Sequence, residues 1–156
     1  MGLDLLPRRS NRLDETVAVP PGMTHRAHAP CPFANDGFPL GPMGTCCSLR
    51  GKVAAENLDA LGEHDDCKRM HESMDAAEAL QFAATLRATA SRLEQRHAGQ
   101  KEKPTGGARG GMIDADTGEF TPWPQPSFEE ALASVLQAAD WYEKVGRLGF
   151  GVHAWY

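Results

Sequence analysis

The chain has no apolar run approaching the ~20 residues that a membrane-spanning helix needs. It also has no clustered basic footprint of the kind that displaces counterions from a phosphate backbone. The only basic concentration is Lys101, Lys103 and Arg109, set among glycines with no aromatic residue interleaved. With a net charge of −5 distributed along the sequence, nucleic acid is disfavoured as a partner. Large rings are scarce: aromatics make up 7% of the chain, so the core must rest on alanine and leucine. Such a core fills little volume per residue and gains from an added constraint. Catalytic signatures are missing as well. There is no Gly-x-x-x-x-Gly-Lys-Ser/Thr loop and no Gly-x-Ser-x-Gly elbow, and His71-Glu72 runs on into Ser73-Met74-Asp75 instead of completing His-Glu-x-x-His. Gly106-Gly107-Ala108-Arg109-Gly110-Gly111 follows no strand and opens no helix, which makes it a linker rather than a phosphate cradle. Together these absences lean against an enzyme.

What remains is an ordinary globular composition, 41% hydrophobic and 24% charged over 156 residues, which is enough for one core. The opening segment carries Asp4 among its apolar residues and Pro7 directly after them, so it does not read as a signal peptide. Leu6 stands where a myristoylation motif wants Ser or Thr. The expectation is a cytoplasmic protein with no membrane association, in a reducing compartment where thiols precede disulfides.

Residues 1–29 read as an irregular or disordered arm, with a short strand at Thr16–Val19 as an alternative. Pro7, Pro20 and Pro21 break any periodicity there, because proline removes a donor and fixes φ. Residues 30–156 read as a single globular domain with a flexible linker near 100–111. Phe33, Phe38 and Leu40 allow residues 30–47 to wrap over the core as an irregular, cysteine-containing loop. A first helix is expected over Leu49–Leu61, capped by Ser48, with Leu49, Val53, Leu58 and Leu61 facing inward. A short helical segment follows over His64–Ser73.

Asp75-Ala76-Ala77-Glu78 is a capping box. Leu80, Ala83, Leu86, Ala90 and Leu93 then recur at helical spacing until Gly99. Met112-Ile113 and Glu119-Phe120 flank Asp114-Ala115-Asp116-Thr117-Gly118 and predict a small hairpin. The same aspartates resemble part of a calcium loop, but Gln125 occupies the place of the bidentate glutamate, so the turn is favoured. A second capping box, Ser127-Phe128-Glu129-Glu130, opens the last helix. Phe128, Leu132, Val135, Leu136, Ala139 and Tyr142 mark its inner face, and Gly146 or Gly149 closes it. Phe150 to Tyr156 alternate as a terminal strand, expected to pair with the hairpin. The fold class is therefore mainly α (α+β): about three helices, a small C-terminal β element and an irregular N-terminal loop.

The chemistry-bearing residues are Cys31, Cys46, Cys47, Cys67 and His71. On a helix, Cys67 and His71 lie one turn apart on one face. Zinc held by Cys67, His71, Cys31 and either Cys46 or Cys47 is the leading assignment. A [4Fe–4S] cluster on the four thiolates is the alternative cofactor, and inert buried thiols or a disulfide are the others. Cys46 and Cys47, placed just before a helix N-terminus with Arg50 and Lys52 nearby, are candidates for lowered thiol pKa. His25 and His28 read as loop residues able to replace one thiol, and His97 as a C-terminal helix cation.

The opening Met1-Gly2-Leu3-Asp4 resembles that of small proteins carried by bacteriophages and their bacterial hosts. The likeness spans those four residues and implies no functional position. The function expected is a small zinc-stabilised accessory protein that binds another protein, with Trp123, Trp155 and Tyr156 as contact points. A thiol or iron–sulfur redox protein is one alternative. A small metal-dependent hydrolase using Asp65, Asp66 or Glu72 as base is the other. The sequence does not specify an oligomeric state.

Overall fold

The computed structural model describes residues 3–8, 49–107, 111–147 and 149–155. In chain order they form β1 (Asp4–Arg8), β2 (Leu49–Arg50), α1 (Gly51–Ala60), α2 (His64–Met70), α3 (Ala76–Arg96), β3 (Gly111–Ile113), β4 (Phe120–Pro122), α4 (Phe128–Arg147) and β5 (Gly151–Trp155). The mainly helical reading holds, with the short segment after the first helix standing as a fourth helix, α2. The irregular loop at 30–47 and the strand at Thr16–Val19 lie outside the described residues.

Helices α3 and α4 form the frame, and each begins as its sequence dictates. The Asp75 carboxylate accepts the Glu78 amide at 2.7 Å while the Glu78 carboxylate accepts the Asp75 amide at 2.8 Å. Ser127 and Glu130 make the same reciprocal pair at 3.1 and 2.7 Å. Both sets satisfy amides that the first helical turn leaves unpaired. Between the helices lie Phe82, Ala83, Leu86, Val135, Ala138, Ala139, Trp141, Tyr142 and Val145, all buried. Phe82 meets Tyr142 edge to face, and Trp141 does likewise. Gly146 lies inside α4 and not at its end. A Cβ there would come within 2.7 Å of the Leu80 side chain and 2.8 Å of the Ala76 carbonyl, so glycine sets the closeness of the two helices. Gly149, at φ +78°, makes the actual stop.

Three expected inward faces are corrected. Val53 is 52% exposed, while Leu80 and Leu136 sit at the margin of the core. The buried stripe of α1 is Ala54, Ala55 and Leu58; α3 adds Ala79 to its stripe and α4 adds Ala131 and Ala138. Close approach favours alanine at the contact, and the larger side chains then straddle it. Helix α1 also starts later than expected, because Leu49 and Arg50 pair with Leu5 and Asp4.

The N-terminal arm departs most from expectation. Residues 4–8 are the central strand of a three-stranded antiparallel sheet ordered β2-β1-β5. The terminal strand therefore pairs with β1 and not with the hairpin, in a register that sets Pro7 opposite Val152. Both backbone groups of Val152 bond to Met74 on its other side, at 2.8 and 2.9 Å. Pro7 thus occupies a pair without hydrogen bonds to β5, and its nitrogen points toward the β2 side of β1. Leu3 and Leu5 are buried against Gly51, whose missing side chain admits them.

Candidate functional site

Of the five candidate metal ligands, the described residues include Cys67 and His71. Cys67 lies in the middle of α2, half-buried and packed against the main core. His71 is the residue just past the end of α2, exposed, with its Nδ1 2.9 Å from the Cys67 carbonyl oxygen. A carbonyl only accepts, so Nδ1 donates and the neutral ring carries its lone pair on Nε2. The turn spacing expected of these two residues is present, with the histidine at the helix cap instead of within it.

Cys31, Cys46 and Cys47, together with His25 and His28, lie outside the described residues. Among the described residues, no group of three or more His, Cys, Asp or Glu side chains is placed to hold a metal ion. One supporting argument is corrected: α1 begins at Gly51, after β2, so helix amides no longer follow Cys46 and Cys47 directly.

Of the carboxylates considered as catalytic bases, Asp66 and Glu72 are held by neighbouring side chains. Asp66 accepts the Thr89 hydroxyl at 2.6 Å. Glu72 accepts Arg69 at 2.5 Å, and Arg69 also reaches Glu78 of the capping box at 3.1 Å. Asp65 sits 4.0 Å from Lys68, fully in solvent. His64 faces Asp59 at 2.8 Å, and His97 meets Phe128 edge to face at the end of α3. His153 in β5 contacts the Ser73 hydroxyl at 3.1 Å, which ties the terminal strand to the loop before α3.

The segment read as a linker is ordered by close approach where it is described. Gly106 is buried between Asn57, Pro126 and Ala131, and its amide bonds the Pro126 carbonyl at 2.9 Å. A side chain at Gly107 would strike the Glu56 carbonyl. Buried Asn57 donates to Ser134 at 2.6 Å, which holds α1 against α4.

A second constellation lies on the β3–β4 hairpin. Met112 pairs with Thr121 and Ile113 with Phe120. The Asp114 carboxylate accepts the amides of Asp116 and Thr117, both at 2.8 Å, and Gly118 turns at φ +71°. The Thr117 amide, then that of Asp116, hold the Asp114 carboxyl below the usual carboxylate range, so the tip stays anionic. This local turn accounts for the aspartates without calcium.

The side chains beside that turn are the unexpected part. Met112, Ile113, Phe120 and Trp123 are 69%, 67%, 59% and 57% exposed. Every described residue from Met112 to Gln125 is exposed, whereas most large apolar groups of α3 and α4, Leu80 and Leu136 excepted, are buried. Trp123 was expected as a contact point; Met112, Ile113 and Phe120 were read only as hairpin strands. Their signal in the sequence was four apolar residues confined to a short acidic stretch containing Asp114, Asp116 and Glu119 and no basic residue. Tyr156 and the side chain of Trp155 lie outside the description.

No protein-family model, curated protein or solved structure matches the chain. No helix among the described residues is long and apolar enough to cross a membrane.

Proposed function

We propose that this protein is a small accessory protein that acts by binding another polypeptide through its β3–β4 hairpin, and not by catalysis. The observation that carries this reading is the set of four exposed apolar side chains on a hairpin braced by its own turn. Apolar groups gathered on one projecting element mark an interaction site far more often than scattered ones do. Methionine and aromatic residues are also the types that interface cores favour. The test is a photo-crosslinking residue placed at Phe120, with the same residue at exposed Ala133 on α4 as control. Specific adducts from position 120 alone are expected; equal or absent adducts at the two positions overturn the reading.

The same proposal assigns zinc a structural role, with Cys67 and His71 as two ligands and Cys31 and either Cys46 or Cys47 as the others. The support is the Nδ1 bond of His71 to the Cys67 carbonyl, the kind of backbone contact that orients a ligating imidazole. Elemental analysis of chelator-free, anaerobically purified protein tests it. About one zinc per chain is expected. Iron with visible absorption would move the assignment to the iron–sulfur alternative, and absence of metal would return Cys67 to the core as a plain thiol.

A further inference from the structure

The strand edges of this protein are unequally protected. The outer side of β5 is bridged by Met74, and Pro7 turns its donorless nitrogen away from β5, toward the β2 side of β1. These are the ordinary devices by which sheets avoid pairing with other chains. In the hairpin, the Asp114 amide bonds the Glu119 carbonyl at 2.9 Å, which makes Ile113–Phe120 and Gly111–Pro122 the pairs without hydrogen bonds. The backbone groups of those four residues therefore point outward. On β4 the outward set includes Pro122, which has no N–H. On β3 it comprises the full donor and acceptor pairs of Gly111 and Ile113. Among the described residues, β3 alone presents an outward pair of complete backbone groups with neither a proline nor a bridging segment against them.

We infer that the β3 edge pairs with the β3 edge of a second copy of this chain, forming a continuous four-stranded sheet β4-β3-β3-β4 about a twofold axis at Met112. This rests on the reading of the hairpin as the binding element and names its partner. The register is self-complementary. An axis at Met112 sets Gly111 opposite Ile113 of the other copy, twice over, so each outward N–H meets an outward carbonyl. Gly111 offers no side chain to obstruct the facing isoleucine. The two Met112 side chains meet at the axis, and Ile113 and Phe120 of both copies lie on one face of the joined sheet. Antiparallel pairing carries the two acidic tips to opposite ends. Four residues of strand separate Asp114 from its symmetry mate, about 13 Å and beyond the ~8 Å screening length at physiological salt. The seam brings together the exposed side chains of Met112 and Ile113 from both copies, with Phe120 of each copy one strand further out.

Sedimentation velocity on the full chain across low to high micromolar concentration tests this, alongside Ile113→Pro. That substitution removes an outward donor and no bond of the β3–β4 ladder, which retained slow hydrogen exchange at the Met112 amide verifies. A reversible dimer is expected for the wild type, with self-association weakened roughly tenfold to a hundredfold in the variant. Met112→Cys gives an independent readout. Directly opposed residues in a non-hydrogen-bonded pair have Cα atoms about 4.5 Å apart, within disulfide range. Mild oxidation should therefore yield covalent dimer above the wild-type level from Met112→Cys and not from Ile113→Cys. A wild type that stays monomeric, or a dimer indifferent to Ile113→Pro, overturns the inference. If a monomeric wild type still gives specific adducts to other proteins from position 120, the binding reading stands and only the second copy is excluded.

Discussion

The α3–α4 pair and the β3–β4 hairpin are organised by the same local chemistry. In each, a short acidic side chain, Asp75 or Asp114, accepts backbone amides two or three residues further on. Beyond that point they diverge. The helices bury Leu86, Val135, Trp141 and Tyr142 entirely, whereas the hairpin leaves Met112, Ile113, Phe120 and Trp123 mostly in water. The two regions use apolar surface differently: one buries it in folding, the other leaves it facing water. Local hydrogen bonds decide whether an element forms, and burial decides what it contributes to stability.

The contrast is sharpest for truncations. Leu86→Ala removes a fully buried side chain at the α3–α4 contact and is expected to cost about 2–5 kcal/mol. Phe120→Ala removes a larger group and is expected to change stability by no more than ~0.5 kcal/mol. Urea denaturation of both variants measures this directly. A comparable loss from Phe120→Ala would show that the hairpin packs on the body in solution and would remove the distinction.

A smaller effect of the opposite intuition is expected at Gly146. Alanine is the better helix former by about 1 kcal/mol. Yet the added Cβ would press on the Ala76 carbonyl and on Leu80 at 2.8 and 2.7 Å. Overpacking of this kind costs roughly 1–3 kcal/mol, so Gly146→Ala should be net destabilising or close to neutral. A clear rise in melting temperature would mean that α3 and α4 do not approach as closely as this contact implies. Below that lies Asp75→Ala, which strips the capping box from α3 and is expected to cost about 1 kcal/mol. Chemical denaturation again provides the measure.

The parts of this fold that were legible in the sequence are those decided within a few residues. Both capping boxes, the Asp114 turn, the short helix α2 and the terminal strand follow from local spacing. The parts that were not legible depend on which way a group faces. Pro7 counted against a strand because a proline in a ladder removes a bond, but only the paired structure shows its nitrogen facing away from the β5 ladder. Val53, Leu80 and Leu136 were given to the core because leucine and valine outrank alanine in any periodicity. Close helix crossing reverses that ranking through Ala54, Ala79 and Ala138. In the candidate site, the Cys67–His71 spacing was readable and the bond between the His71 ring and the Cys67 carbonyl was not, since it needs the helix to end at Met70. The hairpin's strands were readable too. Their exposure was not, because nothing local says whether another element will cover them.

The buried side of the comparison holds one group that belongs, chemically, to the exposed side. The Tyr142 hydroxyl is fully enclosed and has no hydrogen-bond partner among the described residues. Enclosure drives its pKa far upward, opposed only weakly by the Arg69 charge. At neutral pH the hydroxyl contributes no bond and has lost its water, so Tyr142→Phe should be neutral or stabilising by up to about 1 kcal/mol. The pH dependence carries the stronger test. A phenol whose folded pKa is raised keeps its proton in the native state while the unfolded chain ionises above pH ~10. The unfolded state then binds fewer protons, so the Tyr142 contribution is intact below pH ~10 and falls as pH rises beyond it. Other lysines, thiols and the second tyrosine titrate in both proteins and cancel in the difference. The stability gap between Tyr142→Phe and wild type should therefore widen above pH ~10, by up to about 1.4 kcal/mol per pH unit. Urea midpoints at neutral pH and at two alkaline values would read it. A gap that stays constant would place solvent water at that hydroxyl, and the helical core would then be less completely closed than its packing indicates.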